Sequence, residues 1–179
     1  MLILASGSPR RKQLLKKLVK EFTIIVPNID ERFLNLPAQD LPAEESKMKA
    51  YAISSLYPHD EVLACDTIVV LDDEVLGKPA DEEDAIRMLL RQAGRKQIVL
   101  SGWTYIGKGK EITRTVATTV YFNPLTEEQI RRYVYEKRPL DKAGAYGIQD
   151  GYDLVNRIDG SYDNVMGLPT EDIAKHVNF

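Results

Sequence analysis

This sequence has little that would suit a disulfide, a zinc site or a membrane span. Cys65 is the single cysteine, so no internal disulfide can form, and with only His59 and His176 beside it a Cys/His zinc site is starved of ligands. No apolar run approaches the roughly 20 residues that a bilayer demands, so no membrane partner is expected. No signal peptide is visible, and with one thiol a reducing cytoplasm is the expected compartment. A dominant charge is lacking too. The 24 Lys and Arg against 27 Asp and Glu leave a net charge of −3, with no diffuse basic field, so stable nucleic-acid binding is not expected. Repeats, linkers and low-complexity tracts are absent as well.

What is there is an ordinary globular composition. The 179 residues, 44% hydrophobic and 28% charged, suffice for one sizeable core or for two small lobes. The pattern predicts a helix over 9–20, a short β-branched strand over 22–26, a loop over 28–40 and a helix over 42–55 opened by Pro42. The run EVLACDTIVVL at 61–71 is the most apolar of the chain and reads as a buried central strand. Asp72-Asp73 then turns the chain into a short arm at 74–76. A helix over 81–92 follows, with Asp81 as its cap, and then two long strands over 97–107 and 112–122 joined at Lys108-Gly109-Lys110. Thr126-Glu-Glu-Gln129 has the capping-box pattern of a helix reaching 137. A Gly-rich loop covers 142–151, a strand 152–158, a turn 159–164 and a last helix 168–177. The fold class expected is α/β: a single-core, mixed and strongly bent sheet flanked by helices.

Chemistry concentrates in a few places. At Ser6-Gly7-Ser8-Pro9-Arg10-Arg11 a strand turns into a helix, with Ser8 suited to the N-cap and Pro9 to the first helical position. Hydroxyls, cations and unpaired N–H groups at such a corner suit phosphate; the alternative is an ordinary basic surface turn. Asp66 lies within the apolar strand, where an acid is costly unless it is paired, hydrated or bound to a cation. Thr67 beside it points to the other face of a regular strand, or lies near the strand end. Lys78 in Gly77-Lys-Pro79 and Lys49 inside the second helix are cations that, taken alone, read more readily as solvated surface than as ligand-binding groups. Asp30-Glu31 offers metal ligands or merely loop charges. Gln149 ends a loop whose glycines permit close approach to a ligand, and its amide offers a donor and an acceptor for a base edge.

Taken together, these blocks resemble the Maf (septum-formation) nucleoside triphosphate pyrophosphatases along essentially the whole chain. The matching segments are LASGSPRR at 4–11, IDE at 29–31, Lys49-Ala50, Asp66-Thr67, Gly77-Lys-Pro79, DKAGAYGIQ at 141–149 and the stretch 160–169. The resemblance implies one Maf-like domain over 1–179, a Maf/ITPase-like sheet with two lobes around a cleft, and hydrolysis of a nucleoside triphosphate between its α and β phosphates with a divalent metal, Mg²⁺ or Mn²⁺. It makes Asp66 the proton acceptor. Asp-Thr with the KAGAYGIQ loop is similar to the branch acting on dTTP and UTP, whose pyrimidine preference is linked to the positions of Arg11, Thr67 and Gln149. The branch acting on 7-methyl-GTP usually carries Asp-Gln, and that activity is the rival reading, as is a nucleotide-binding regulator of cell division without turnover. Three residues depart from the family's habit: Gln97, Asp150 and Thr118.

Elementary chemistry assigns the remaining roles. Mg²⁺ keeps waters and takes one or two carboxylates, for which Asp66 and then Glu31 are the candidates. Ser6, Ser8, Arg10, Lys49 and Lys78 are the candidates for holding the triphosphate. An apolar wall near Tyr146 is expected beside the base. A homodimer is the assembly left open.

Overall fold

A computed structural model describes residues 1–30 and 35–179. The chain runs β1 (Leu2–Ala5), α1 (Pro9–Leu15), β2 (Thr23–Ile24), α2 (Leu41–Ser54), β3 (Glu61–Leu71), β4 (Glu74–Leu76), α3 (Glu82–Gln92), β5 (Lys96–Gly107), β6 (Lys110–Phe122), α4 (Glu127–Lys137), β7 (Val155–Asp159), α5 (Tyr162–Met166) and α6 (Thr170–His176), with 3-10 turns at Ala143–Ala145 and Ile148–Asp150. The strands lie in the order β2-β1-β3-β5-β6-β7, with β4 beside β3. β1 is parallel to β2 and β3, whereas the β3–β4 and β6–β7 pairs are antiparallel. The mixed sheet flanked by helices is the expected fold class. Among the described residues no helix is long and apolar enough to cross a membrane.

The chain forms two compact units. Met1–Thr67, Leu100–Val116 and Asp163–Phe179 make the first, and Ile68–Val99 with Ala117–Tyr162 the second. In the first, Ile3 and Ala5 of β1, Ala50 and Ile53 of α2, and Val62 and Ala64 of β3 form one buried cluster. α2 lies close on the sheet because β5 carries Gly102 opposite its first turn: a Cβ there would stand 2.2 Å from the Pro42 carbonyl carbon. In the second unit Leu71, Leu89, Val120, Ile130 and Leu154 are buried.

Local signals explain several element ends. Ser8 accepts the Arg11 N–H and caps α1, and Asp81 does the same for α3 through the Asp84 N–H. The capping box at Thr126 and Gln129 is closed in both directions. Asp72-Asp73 and Lys108-Gly109 all have positive φ, the backbone signature of a two-residue hairpin turn whose twist matches its strands.

Three boundaries differ most from the sequence expectation. α1 stops at Leu15, five residues early, where i→i+3 bonds from Lys17 to Leu14 and from Leu18 to Leu15 tighten its end. β7 starts only at Val155, because Tyr152 and Asp153 take positive φ and cannot be extended. The expected turn at 159–164 contains the start of α5, a helix too short to stand on propensity. It is held from outside: Lys17 grips both oxygens of Asp163 at 2.7 and 2.8 Å, and the Thr170 hydroxyl donates to the same carboxylate.

Candidate functional site

The first unit gathers its polar groups around positions 65–67 of β3. Because successive side chains of a strand face opposite ways, Asp66 meets one set of partners while Cys65 and Thr67 meet another. Asp66 faces α2, whose buried stripe runs Pro42, Glu45, Ser46, Ala50 and Ile53, with Lys49 on the same side. The Lys49 ammonium donates to Asp66 Oδ1 at 2.6 Å, and both side chains are nearly buried, at 13% and 12% exposure. The Glu45 side chain also lies in hydrogen-bond contact with Asp66. Burial pushes the Asp66 carboxyl up, but the Glu45 hydrogen bond and the Lys49 and Arg11 charges outweigh it, and the net shift is down. Asp66 is thus a nearly buried carboxylate held in its charged form.

On the other face, the Arg11 guanidinium is braced by three bonds. Its Nε donates to the Gly167 carbonyl at 2.8 Å, Nη1 to Ser6 Oγ at 3.3 Å and Nη2 to Thr67 Oγ1 at 3.2 Å. Two of its five N–H groups remain outside these bonds. Thr67 Oγ1 also shares a hydrogen bond with Ser101 Oγ at 2.8 Å, and the Ser101 hydroxyl donates to the Asn164 carbonyl. The Gly167 carbonyl accepts from the Cys65 thiol as well, at 3.3 Å, and Gly167 has φ of +117°, open to glycine. Burial pushes the Cys65 thiol up, against the lowering effect of Arg11, so this cysteine is a packed thiol and no nucleophile.

The turn before α1 keeps its hydroxyls close to the backbone. Ser6 Oγ accepts the Ser8 N–H at 3.2 Å in addition to Arg11 Nη1, and Ser8 Oγ accepts the Arg11 N–H. Each retains an O–H to donate. Arg10, on the first turn of α1, is half-buried.

In the second unit, Lys78 is exposed on the loop after β4, and Gln149 is exposed on the 3-10 turn Ile148–Asp150. The two loops are tied: the Gly144 N–H donates to the Gly77 carbonyl at 3.1 Å. Tyr146 is buried with its ring edge-on to Phe122, 4.9 Å between centroids.

Of the residues picked from sequence, then, Lys49 and Asp66 meet directly, as do Arg11, Thr67 and Ser6. Lys78 and Gln149 stand on joined loops of the other unit, and Glu31 lies outside the described residues. Glu45, Ser101 and Gly167 were not foreseen. Glu45 carried a signal, since it sits four residues before Lys49 and so on the same helix face. The three departures have structural work. Gln97 Nε2 donates to Gln92 Oε1 at 2.6 Å, Asp150 accepts the Tyr133 hydroxyl at 2.7 Å, and the Thr118 hydroxyl accepts the Ser161 N–H at 3.1 Å.

Fold and site together define a mixed α/β protein with a charge-paired carboxylate on a central strand and a braced guanidinium on that strand's other face. The chain belongs to the Maf family: the family model described as Maf-like protein matches residues 1–178. Among its relatives, a protein of Symbiobacterium thermophilum named dTTP/UTP pyrophosphatase is 47% identical over 173 residues, covering 94% of this chain and 88% of the relative. A protein of Desulfotalea psychrophila with the same name is 43% identical over 182 residues, covering 98% and 92%. Among solved structures, the Staphylococcus aureus Ham1 protein matches 68% of this chain and 70% of its own, with 14% identity and a TM-score of 0.44.

Proposed function

We propose that this protein hydrolyses dTTP and UTP to the nucleoside monophosphate and pyrophosphate. The observation that carries the reading is the state of Asp66: a nearly buried carboxylate, kept ionised by Lys49, Glu45 and Arg11, in a chain whose relatives are named for this activity. In the proposed step a water attacks the α-phosphorus and Asp66 accepts its proton. The bond from that phosphorus to the oxygen bridging the α and β phosphates breaks, and pyrophosphate leaves with the electron pair.

Lys49, Arg10 and Lys78, with the Ser6 and Ser8 hydroxyls, are assigned to the phosphates, where charge-assisted donors stabilise the leaving group. Arg11 and Thr67 are assigned to discrimination, and Gln149 to the O4 and N3–H edge of uracil or thymine. The residues also suit a divalent cation. Asp66 is a hard oxygen donor already facing a cation at 2.6 Å, with the Glu45 carboxyl at its side, and Mg²⁺ requires only one or two carboxylates. We assign Asp66 as a ligand, with Glu31 as the second. When bound, such an ion stabilises charge growing on the phosphate and lowers the pKa of bound water. The single packed thiol supports a reducing cytoplasm as the working compartment.

The test is a panel of UTP, dTTP and 7-methyl-GTP, scored by pyrophosphate release, with wild type and Asp66→Asn side by side. Turnover of UTP and dTTP that vanishes in the variant is expected. Preference for 7-methyl-GTP would overturn the substrate, equal turnover by the variant would overturn the role of Asp66, and binding without turnover would make the protein a nucleotide-binding regulator.

A further inference from the structure

The turn that presents Gln149 is spanned by one buried hydroxyl. Tyr133, on α4, is fully buried. Its hydroxyl accepts the Gly147 N–H at 2.9 Å, at the residue before the 3-10 turn Ile148–Asp150. The same hydroxyl donates to Asp150 Oδ2 at 2.7 Å, at the last residue of that turn. Gln149 lies between these two anchor points and is exposed. The turn is wound tightly beneath it. The Asp150 N–H closes on the Gly147 carbonyl at 3.0 Å, and a Cβ built on Gly147 would come within 2.8 Å of Asp150 Oδ2 and 3.0 Å of Gln149 Nε2. Further back, Gln92 of α3 donates to the Gly144 carbonyl at 2.7 Å. Burial pushes the Tyr133 phenol far up, and Asp150 adds to this, so the hydroxyl keeps its proton and serves as donor and acceptor at once.

We infer that Tyr133 is a specificity-positioning residue, whose hydroxyl brackets the turn 148–150 and so fixes where the Gln149 amide meets the base of a pyrimidine triphosphate. The inference rests on the pyrimidine reading of the site given above. Uracil offers an acceptor at O4 and a donor at N3, whereas cytosine offers the reverse pattern, so only an amide held in place rejects the wrong edge. Removing the hydroxyl leaves the buried Gly147 N–H without its acceptor and Asp150 without its donor. The turn then loses both anchors while the phenyl ring still fills its place.

The experiment compares full-length wild type, Tyr133→Phe, Asp150→Asn and Asp150→Ala, with kcat and KM for UTP and CTP measured separately and a thermal melt for each. Tyr133→Phe is expected to narrow the UTP over CTP ratio of kcat/KM by about tenfold, through a raised KM for UTP, with kcat on CTP unchanged. Asp150→Asn, which keeps an acceptor for the hydroxyl, retains the ratio, and Asp150→Ala narrows it. An equal fall on both nucleotides, or an unchanged ratio in Tyr133→Phe, overturns the inference; if Tyr133→Phe fails to fold, the two Asp150 variants decide in the same way. Wild type that turns over CTP as readily as UTP overturns the pyrimidine-edge reading itself, an outcome visible before any variant is measured.

Discussion

The two units hold their polar groups by different means. In the first, charged side chains do the holding: Lys49 holds Asp66, and Arg11 holds Thr67, Ser6 and the Gly167 carbonyl. In the second, neutral side chains hold the loop: Gln92 takes the Gly144 carbonyl, the Tyr133 hydroxyl takes the Gly147 N–H and donates to Asp150, and the Gln149 amide is left exposed. The contrast is between setting charge and setting shape. A carboxylate nearly out of water stays ionised only if cations and donors surround it, so the first unit must spend charged side chains on one another. A loop that presents an exposed amide needs no charge. It needs a fixed backbone and a free amide.

Breaking the charged half is expected to have the largest effect. Asp66→Asn should lower kcat for UTP by roughly 10³-fold, within the usual range for loss of a positioned base, with little change in KM, as measured by pyrophosphate release. Next, Lys49→Met strands the nearly buried Asp66 carboxylate and should cost about 3 kcal/mol in urea unfolding at neutral pH. The pH dependence has a definite sign. Because the Asp66 pKa is lowered on folding, its stabilisation is complete above the ordinary aspartate value of 3.8 and disappears as pH falls below it. The gap between wild type and Lys49→Met should therefore close in acid and stay open at neutral pH.

Arg11→Lys keeps the charge but loses the planar fork that reaches Gly167, Ser6 and Thr67 together. About a tenfold loss of discrimination between UTP and CTP is expected, with stability nearly unchanged. The smallest effect belongs to Thr126→Ala, which opens the capping box of α4 in the second unit. It should lower stability by about 1 kcal/mol in a thermal or urea melt and leave kcat alone. A large effect of that variant on kcat would blur the contrast between the two units.

Much of the site was legible before any fold was known, and the reasons are particular. Asp66 stood out because an acid in EVLACDTIVVL has no apolar excuse. Arg11 and Gln149 were legible through the segments around them. Lys49 was ambiguous because α2 lacks the apolar stripe that marks a buried helix face. Its inward side carries Glu45, Ser46 and Lys49 beside Ala50 and Ile53, so a buried polar face looks like a solvated one. α5 was read as a turn because its five residues are held by Lys17 and Thr170, neither of which is adjacent in sequence. The late start of β7 followed from positive φ at Tyr152 and Asp153, residue types that carry no strong mark for it.

What the sequence determined by itself was whatever neighbours within four residues can settle: the Ser8-Pro9 entry to α1, the Asp81 cap, the Thr126–Gln129 box and the hairpins at Asp72-Asp73 and Lys108-Gly109. Tertiary structure alone decided partnership. Lys49 lies 17 residues from Asp66, and Arg11 lies 156 residues from the Gly167 carbonyl it grips. A cap is an exchange between one side chain and the next turn of its own backbone, so sequence fixes both parties. A buried charge takes whichever partner the packing of strand and helix delivers, and that choice belongs to the fold.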